Sequence, residues 1–203
     1  MKDKRRIISN ILLITGLLLL LGAGGLYFYN LSESNDYEEA AMELASRIKT
    51  EISLVRAENT EEVTPILQSE MVTRQIDGSV YDGYLTIPKI NLEMAVYDTW
   101  NDSYLRKSVC RYYGSPATDD LIIAGHNYST GFRKLRNLAP GDEVFFTDMG
   151  GNTIKYEVRL TEVIDGTDID GMISGGWDLS LYTCTYGGEA RFTVRCDRAG
   201  SQG

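Results

Sequence analysis

Beyond residue 80 the chain is cut into short apolar runs, at 84–87, 93–97, 121–124, 143–147, 154–160, 179–184 and 191–195, separated by Gly, Asn, Asp or Pro. Runs of this length are too short for helices and match half-buried strands, whose side chains alternate faces with period two. Seven or eight strands packed into about 115 residues close on themselves, because closure removes the unpaired edges of a long open sheet. A mainly β fold, with a closed or nearly closed barrel over residues 81–203, is therefore expected, together with one helical turn near 132–138.

The first 80 residues have a different texture. Lys2, Lys4, Arg5 and Arg6 precede an apolar run over residues 7–29. As a helix this run spans roughly 34 Å, enough to cross a hydrocarbon core of about 30 Å. Basic residues before it and none just after it put the N-terminus in the cytoplasm and the remainder outside. Gly22-Ala23-Gly24 offers the small residues of a cleaved signal, but the apolar run continues through Leu26-Tyr27-Phe28-Tyr29, which favours a retained anchor. Residues 31–35 read as a short polar connection, with Ser34 or Asn35 capping a second helix. Over residues 36–57, Tyr37, Ala41, Leu44, Ile48, Ile52 and Val55 recur at helical spacing and form one stripe, expected to pack on the following domain. Residues 59–78 show no period apart from a short segment at 66–72. The expected organisation is a basic tail (1–6), an anchor (7–29), an extracellular linker with an amphipathic helix (30–80) and a barrel (81–203).

Net charge is −9, and because residues 1–29 carry +3, the remainder carries −12. So acidic an exported domain is a poor ligand for nucleic acid, and none is expected as a partner. Three cysteines, Cys110, Cys184 and Cys196, leave an odd thiol under any pairing. Cys110 and Cys196 are expected as two buried thiols, with a disulfide between them as the alternative for an exported protein.

The segment 179–196 carries the chemistry. Its first half alternates up to Cys184, Gly187-Gly188 makes a turn, and Arg191-Phe192-Thr193-Val194 returns. A free thiol near pKa 8.5 is mostly protonated at neutral pH, so a nucleophilic cysteine needs a base or a positive charge beside it. The chain has a single histidine, His126, so any cysteine–histidine chemistry uses it. An arginine near the thiol would stabilise the negative oxygen of a tetrahedral intermediate. Arg191 and Arg195, four apart on one strand and so on one face, are both candidates.

Four blocks in order carry a family resemblance: Gly83-Tyr84-Leu85-Thr86-Ile87-Pro88-Lys89-Ile90, Ile122-Ile123-Ala124-Gly125-His126-Asn127, Leu181-Tyr182-Thr183-Cys184 and Arg191-Phe192-Thr193-Val194. Together they resemble the sortases, membrane-anchored cysteine transpeptidases of Gram-positive bacteria, over residues 81–198. The resemblance implies an eight-stranded barrel, a thioacyl enzyme formed on an LPXTG-like sorting signal, and transfer to an amine. Cys184 corresponds to the nucleophile, His126 to the acid and base, and Arg191, rather than Arg195, to the oxyanion partner. Thr183, Asn127 and Tyr186 flank these positions and are expected to contact substrate. Ile164 and Trp177 join them from segment 161–178, whose counterpart in the family helps form the sorting-signal groove. Expected partners are surface proteins bearing sorting signals and an amine acceptor, from a peptidoglycan precursor or a pilin-type lysine. The expected location is the cell membrane, single-pass, with the barrel outside.

Glu162, Asp165, Asp168 and Asp170 in that segment have oxygens suited to Ca²⁺. Their spacing is not that of an EF-hand loop, and solvated acids with no metal or cofactor are the expectation. Within the family, the helix before the barrel resembles class B, whereas the short 164–178 loop resembles classes A and D, and no pilus-type lid segment is evident. The alternative function is a membrane-tethered barrel that binds or scaffolds without catalysis, with Cys184 inert.

Overall fold

The computed structural model describes residues 2–58 and 71–200, in two compact units, Met1–Asp36 and Tyr37–Gly203. Most of segment 59–78 and part of the basic tail lie outside the described residues and side chains. Helix α1 runs Lys2–Glu58. It is long and apolar enough to cross a membrane, and Leu12, Leu18, Leu20 and Phe28 are among its exposed side chains. Contrary to expectation, residues 31–35 are helical, with no polar break and no second cap. Neither Gly nor Pro stands there, and Ser, Glu and Asn each disfavour helix by only about 0.5 kcal/mol, too little to stop it.

Within the second unit the helical stripe is buried as its spacing predicts. Tyr37, Ala41, Ala45, Ile48, Ile52 and Val55 are all below one tenth exposed, and Leu44 packs at the margin. The strands are β1 (Arg74–Ile76), β2 (Ser79–Ile87), β3 (Leu92–Tyr97), β4 (Val109–Tyr113), β5 (Leu121–Gly125), β6 (Glu143–Asp148), β7 (Thr153–Asp165), β8 (Leu179–Cys184) and β9 (Ala190–Arg198). They pair in the order β1-β2-β3-β4-β5-β8-β9-β7-β6, and β6 returns to β2. Eight strands thus form a closed ring, and β1 hangs outside it as a hairpin arm through Asp77 and Gly78, both at positive φ. Closure brings the strands of the seam close together at Gly83, where any side chain would collide with the Thr147 carbonyl. All pairs are antiparallel except β3–β4 and β5–β8.

Two apolar clusters follow from this wall. The interior holds Leu85, Val96, Ile123, Phe146, Val158, Leu181 and Val194, among others. Turns of 3-10 helix at Pro88–Ile90 and Phe132–Asn137 bury Ile90, Phe132 and Leu135 against that interior. A second cluster on the outer face includes Ile48, Ile52, Tyr97, Ile122, Ile164 and Tyr182, beside the short helices α2 (Asp102–Leu105) and α3 (Ile169–Ile173).

One expected boundary is corrected. Strand β7 does not end at residue 160 but continues to Asp165, paired to β9 throughout. A bulge between Val158 and Leu160 adds one residue and switches the buried face, so Val158 lies in the interior cluster and Ile164 in the outer one. That break in alternation makes the strand look shorter than it is. Only residues 166–178 remain as loop, and they include α3.

Asp82, fully buried beside the β2 bulge, accepts from Arg111 Nε at 2.7 Å through one carboxylate oxygen. Burial pushes its pKa up to about 6 despite the opposing charge of Arg111. The native state therefore holds this proton more tightly than the unfolded chain, and Asp82 costs stability as pH rises from about 4 to about 6. Asp82→Asn removes that titration, so its stability relative to the parent is expected to improve between pH 4.5 and pH 7, by at most about 3 kcal/mol. Urea melts of both proteins at the two pH values measure this; a difference independent of pH would refute the assignment.

Candidate active site

Parallel pairing of β5 with β8 builds the site. Their register runs from Leu121 opposite Leu179 to Gly125 opposite Thr183, so the next residues, His126 and Cys184, emerge side by side at the same end of the wall. Strand β9 then pairs antiparallel with β8 and sets Arg191 directly opposite Cys184. Imidazole, thiol and guanidinium thus occupy adjacent strand positions, with about 5 Å between neighbouring strands. All three line one cavity of about 240 Å³. Ala124 and Tyr182, on the same alternation as His126 and Cys184, belong to the outer cluster, so the cavity lies outside the barrel wall.

Local packing holds each group. Gly125 leaves room for the buried ring of Phe132; a Cβ there would fall 2.6 Å from it. His126 meets the edge of Tyr128, ring centroids 5.5 Å apart at 74°, and Tyr128 in turn lies 4.4 Å from Tyr37. Arg191 donates through Nη1 to the carbonyls of Gly188 (2.8 Å) and Ala190 (3.2 Å), at the turn joining β8 to β9. Hydrogen bonds from Thr167, helped by the charge of Arg191, hold the carboxyl of Asp165 below the usual carboxylate range.

The two arginines have different environments. Arg195 is only 1% exposed, and its guanidinium donates to Glu162 Oε1 (2.7 Å), Ser180 Oγ (2.8 Å), Met172 O (3.0 Å) and Gly171 O (2.6 Å). Its donors are committed to binding α3 to the wall, whereas Arg191 lies on the cavity. The cysteines divide likewise. Burial pushes Cys110 up to about 12 and raises Cys196 further, one in the outer cluster and one in the interior, both as free thiols. Cys184 alone of the three is partly exposed.

The other expected contacts are scattered. Thr183 is fully buried, one step out of phase with Cys184, so it has no surface for a ligand. Ile164, opposite Arg191 on β7, is 7% exposed and packs in the outer cluster behind the cavity. Asn127 accepts from Arg133 Nε (2.8 Å) through its carbonyl, and Tyr186, 80% exposed, stacks under Arg133 at 5.2 Å. Trp177 covers Gly175. None of these five lines the cavity. Instead Trp100, Tyr112, Ile169 and Met172 do, from the turn before α2, from β4 and from α3. Sequence reasoning missed them because α2 has four residues and β4 carries a bulge between Arg111 and Tyr113, leaving no period to read.

Of the acids considered for Ca²⁺, Glu162 and Asp165 lie on β7 and accept from Arg195 and Thr167, and Asp168 caps α3 by accepting from Gly171 N (2.8 Å). Among the described residues no three His, Cys, Asp or Glu side chains converge as a metal site.

A closed eight-stranded barrel with a thiol and an imidazole at the ends of adjacent parallel strands, and an arginine on the next, defines a cysteine-centred barrel domain. A model of the Sortase domain matches residues 85–199, and the chain belongs to the sortase family. Sortase D of Bacillus subtilis (strain 168) is 32% identical over 89 residues, 42% of this chain and 44% of that protein, so the match spans less than half of either. Sortase C1 from Streptococcus suis superposes with a TM-score of 0.52 at 25% identity, covering 60% of this chain and 74% of that one. Streptococcus pneumoniae sortase C (TM-score 0.56, 22% identity, 81% and 98% coverage) and Corynebacterium diphtheriae sortase A (0.55, 18%, 89% and 97%) share the fold.

The contrast between the arginines is measurable. Arg195→Ala strips four hydrogen bonds from a buried site and is expected to cost about 3 kcal/mol, whereas Arg191→Ala costs under about 1 kcal/mol. Chemical denaturation of both variants tests this, and equal losses would contradict it.

Proposed function

We propose that this chain is a membrane-anchored cysteine transpeptidase that cleaves an LPXTG-like sorting signal and transfers the attached protein to an amine. The observation that carries this reading is the row His126, Cys184, Arg191 on neighbouring strands, lining one cavity. Membership of the sortase family supports it, and so does the long apolar part of α1, read as the anchor that leaves the barrel on the outer face.

The thiolate of Cys184 attacks the carbonyl carbon of the Thr–Gly bond or its equivalent. Arg191 faces the oxygen that becomes negative, and one such fixed donor lowers the barrier by about 3 kcal/mol. When the C–N bond breaks, His126 gives its proton to the leaving amine, and a thioester remains on Cys184. An incoming amine attacks that thioester, His126 takes its proton, and Cys184 leaves as thiolate. Donors are surface proteins bearing sorting signals. The acceptor is a peptidoglycan-precursor amine or a lysine of another subunit; the Streptococcus pneumoniae relative is described in terms of pilin substrates.

A quenched-peptide library with mass spectrometry of the trapped acyl-enzyme tests nucleophile and motif together. Cys184→Ala is expected to abolish turnover, His126→Ala to lower kcat about 10³-fold, and Arg191→Ala about 10²-fold. In folded protein, iodoacetamide should modify Cys184 and spare Cys110 and Cys196. Undiminished cleavage by Cys184→Ala, or a Cys184 inert to alkylation until unfolding, would reject the transpeptidase and leave a tethered barrel.

A further inference from the structure

At about 240 Å³ the cavity is smaller than the roughly 300–1,000 Å³ typical of sites that enclose a whole ligand. A peptide several residues long therefore enters only in part, and the rest lies across the rim. That rim is apolar. Outside α1 six large apolar side chains are exposed among the described residues, and three of them, Trp100 (50%), Tyr112 (36%) and Ile169 (56%), line this one cavity. Exposed apolar groups gathered at a concavity mark a binding surface more often than scattered ones do.

Trp100 is the largest of the three, and its backbone is well anchored. On one side β3 ends in the buried Tyr97, whose ring stacks on Tyr104 at 4.1 Å and 2°. On the other, Asn101 caps α2 by accepting from Ser103 N (2.8 Å), and the Asn101 carbonyl accepts from Leu105 N (2.9 Å). The fixed turn keeps the indole's attachment point at the rim, and a tryptophan side chain, with two torsions, loses less conformational freedom than a longer flexible one when a ligand covers it.

We propose that Trp100 is a substrate-contacting, specificity-determining residue, whose indole packs on an apolar side chain of the acyl-donor peptide while the scissile carbonyl lies at Cys184. This rests on the transpeptidase reading and goes beyond it by assigning donor recognition to the turn before α2. Leu105, Met172 and Tyr182 also line the cavity and give an apolar donor side chain a surface to pack on, while Asp102, Asp165 and Asp168 on the same lining disfavour an acidic one.

With the library peptide that acylates Cys184 as donor, Trp100→Ala is expected to raise the donor KM about tenfold and change kcat less than about threefold. The rate of Cys184 alkylation by iodoacetamide should stay unchanged, and Trp100→Phe should recover most of the affinity. Binding is read without reaction in Cys184→Ala protein that also carries Trp177→Phe, so that Trp100 is the one tryptophan left and its emission should change when the donor peptide binds. An unaltered donor KM in Trp100→Ala, a KM effect on the acceptor amine alone, or a Trp100 emission that saturating donor peptide leaves unchanged would overturn the assignment. If no peptide acylates Cys184, the transpeptidase reading has failed and this inference falls with it, an outcome distinct from turnover that ignores Trp100.

Discussion

The candidate site depends on the parallel register between β5 and β8. Gly125 opposite Thr183 sets the following pair, His126 and Cys184, abreast, and the antiparallel step to β9 adds Arg191. A slip of one residue in either pairing would turn a side chain through the wall, since alternate residues face opposite sides. The apolar pattern forbids that slip. Leu121, Ile123, Leu179 and Leu181 fill the interior, and Ile122, Ala124 and Tyr182 fill the outer cluster. Packing on both faces thus keeps imidazole, sulfur and guanidinium on one side.

Burial then assigns different work to chemically similar groups. Arg191 and Arg195 stand four apart on β9, on one face, and one lies on the cavity while the other disappears under α3. The difference comes from coverage: α3, the Glu162 carboxylate and the Ser180 hydroxyl on β8 enclose Arg195 with four acceptors, and the strand ends leave Arg191 beside the cavity. The same logic separates the thiols. Cys110 and Cys196 lie in apolar clusters on opposite faces of the wall and remain protonated, which also accounts for their being free rather than paired.

Much of the barrel was readable because period-two runs bounded by turn residues have few other solutions. Leu179–Cys184 coincides with its run, and the stripe from Tyr37 to Val55 is buried as its spacing requires. What escaped had no period to show. The hairpin arm β1 has three residues, β4 and β7 are interrupted by bulges, and residues 31–35 are polar without being helix breakers. Proximity in sequence does not put a side chain on the cavity: Thr183, next to Cys184, is buried on the other face of β8, because neighbours alternate faces where a strand carries no bulge.

By itself, the order of residues determined that one histidine, one cysteine at a strand's end and an arginine at the start of the next strand were the available chemistry. It also determined the β-barrel class, since local alternation and turn residues are written in short segments. The family resemblance had already singled out Arg191 and Cys184; only the tertiary structure decided that α3 encloses Arg195 while Arg191 borders the cavity, and that the turn before α2 supplies Trp100 to the rim. Those outcomes depend on which distant strands lie side by side and what covers them, and contacts between residues 20 to 90 apart leave no periodic trace in the chain.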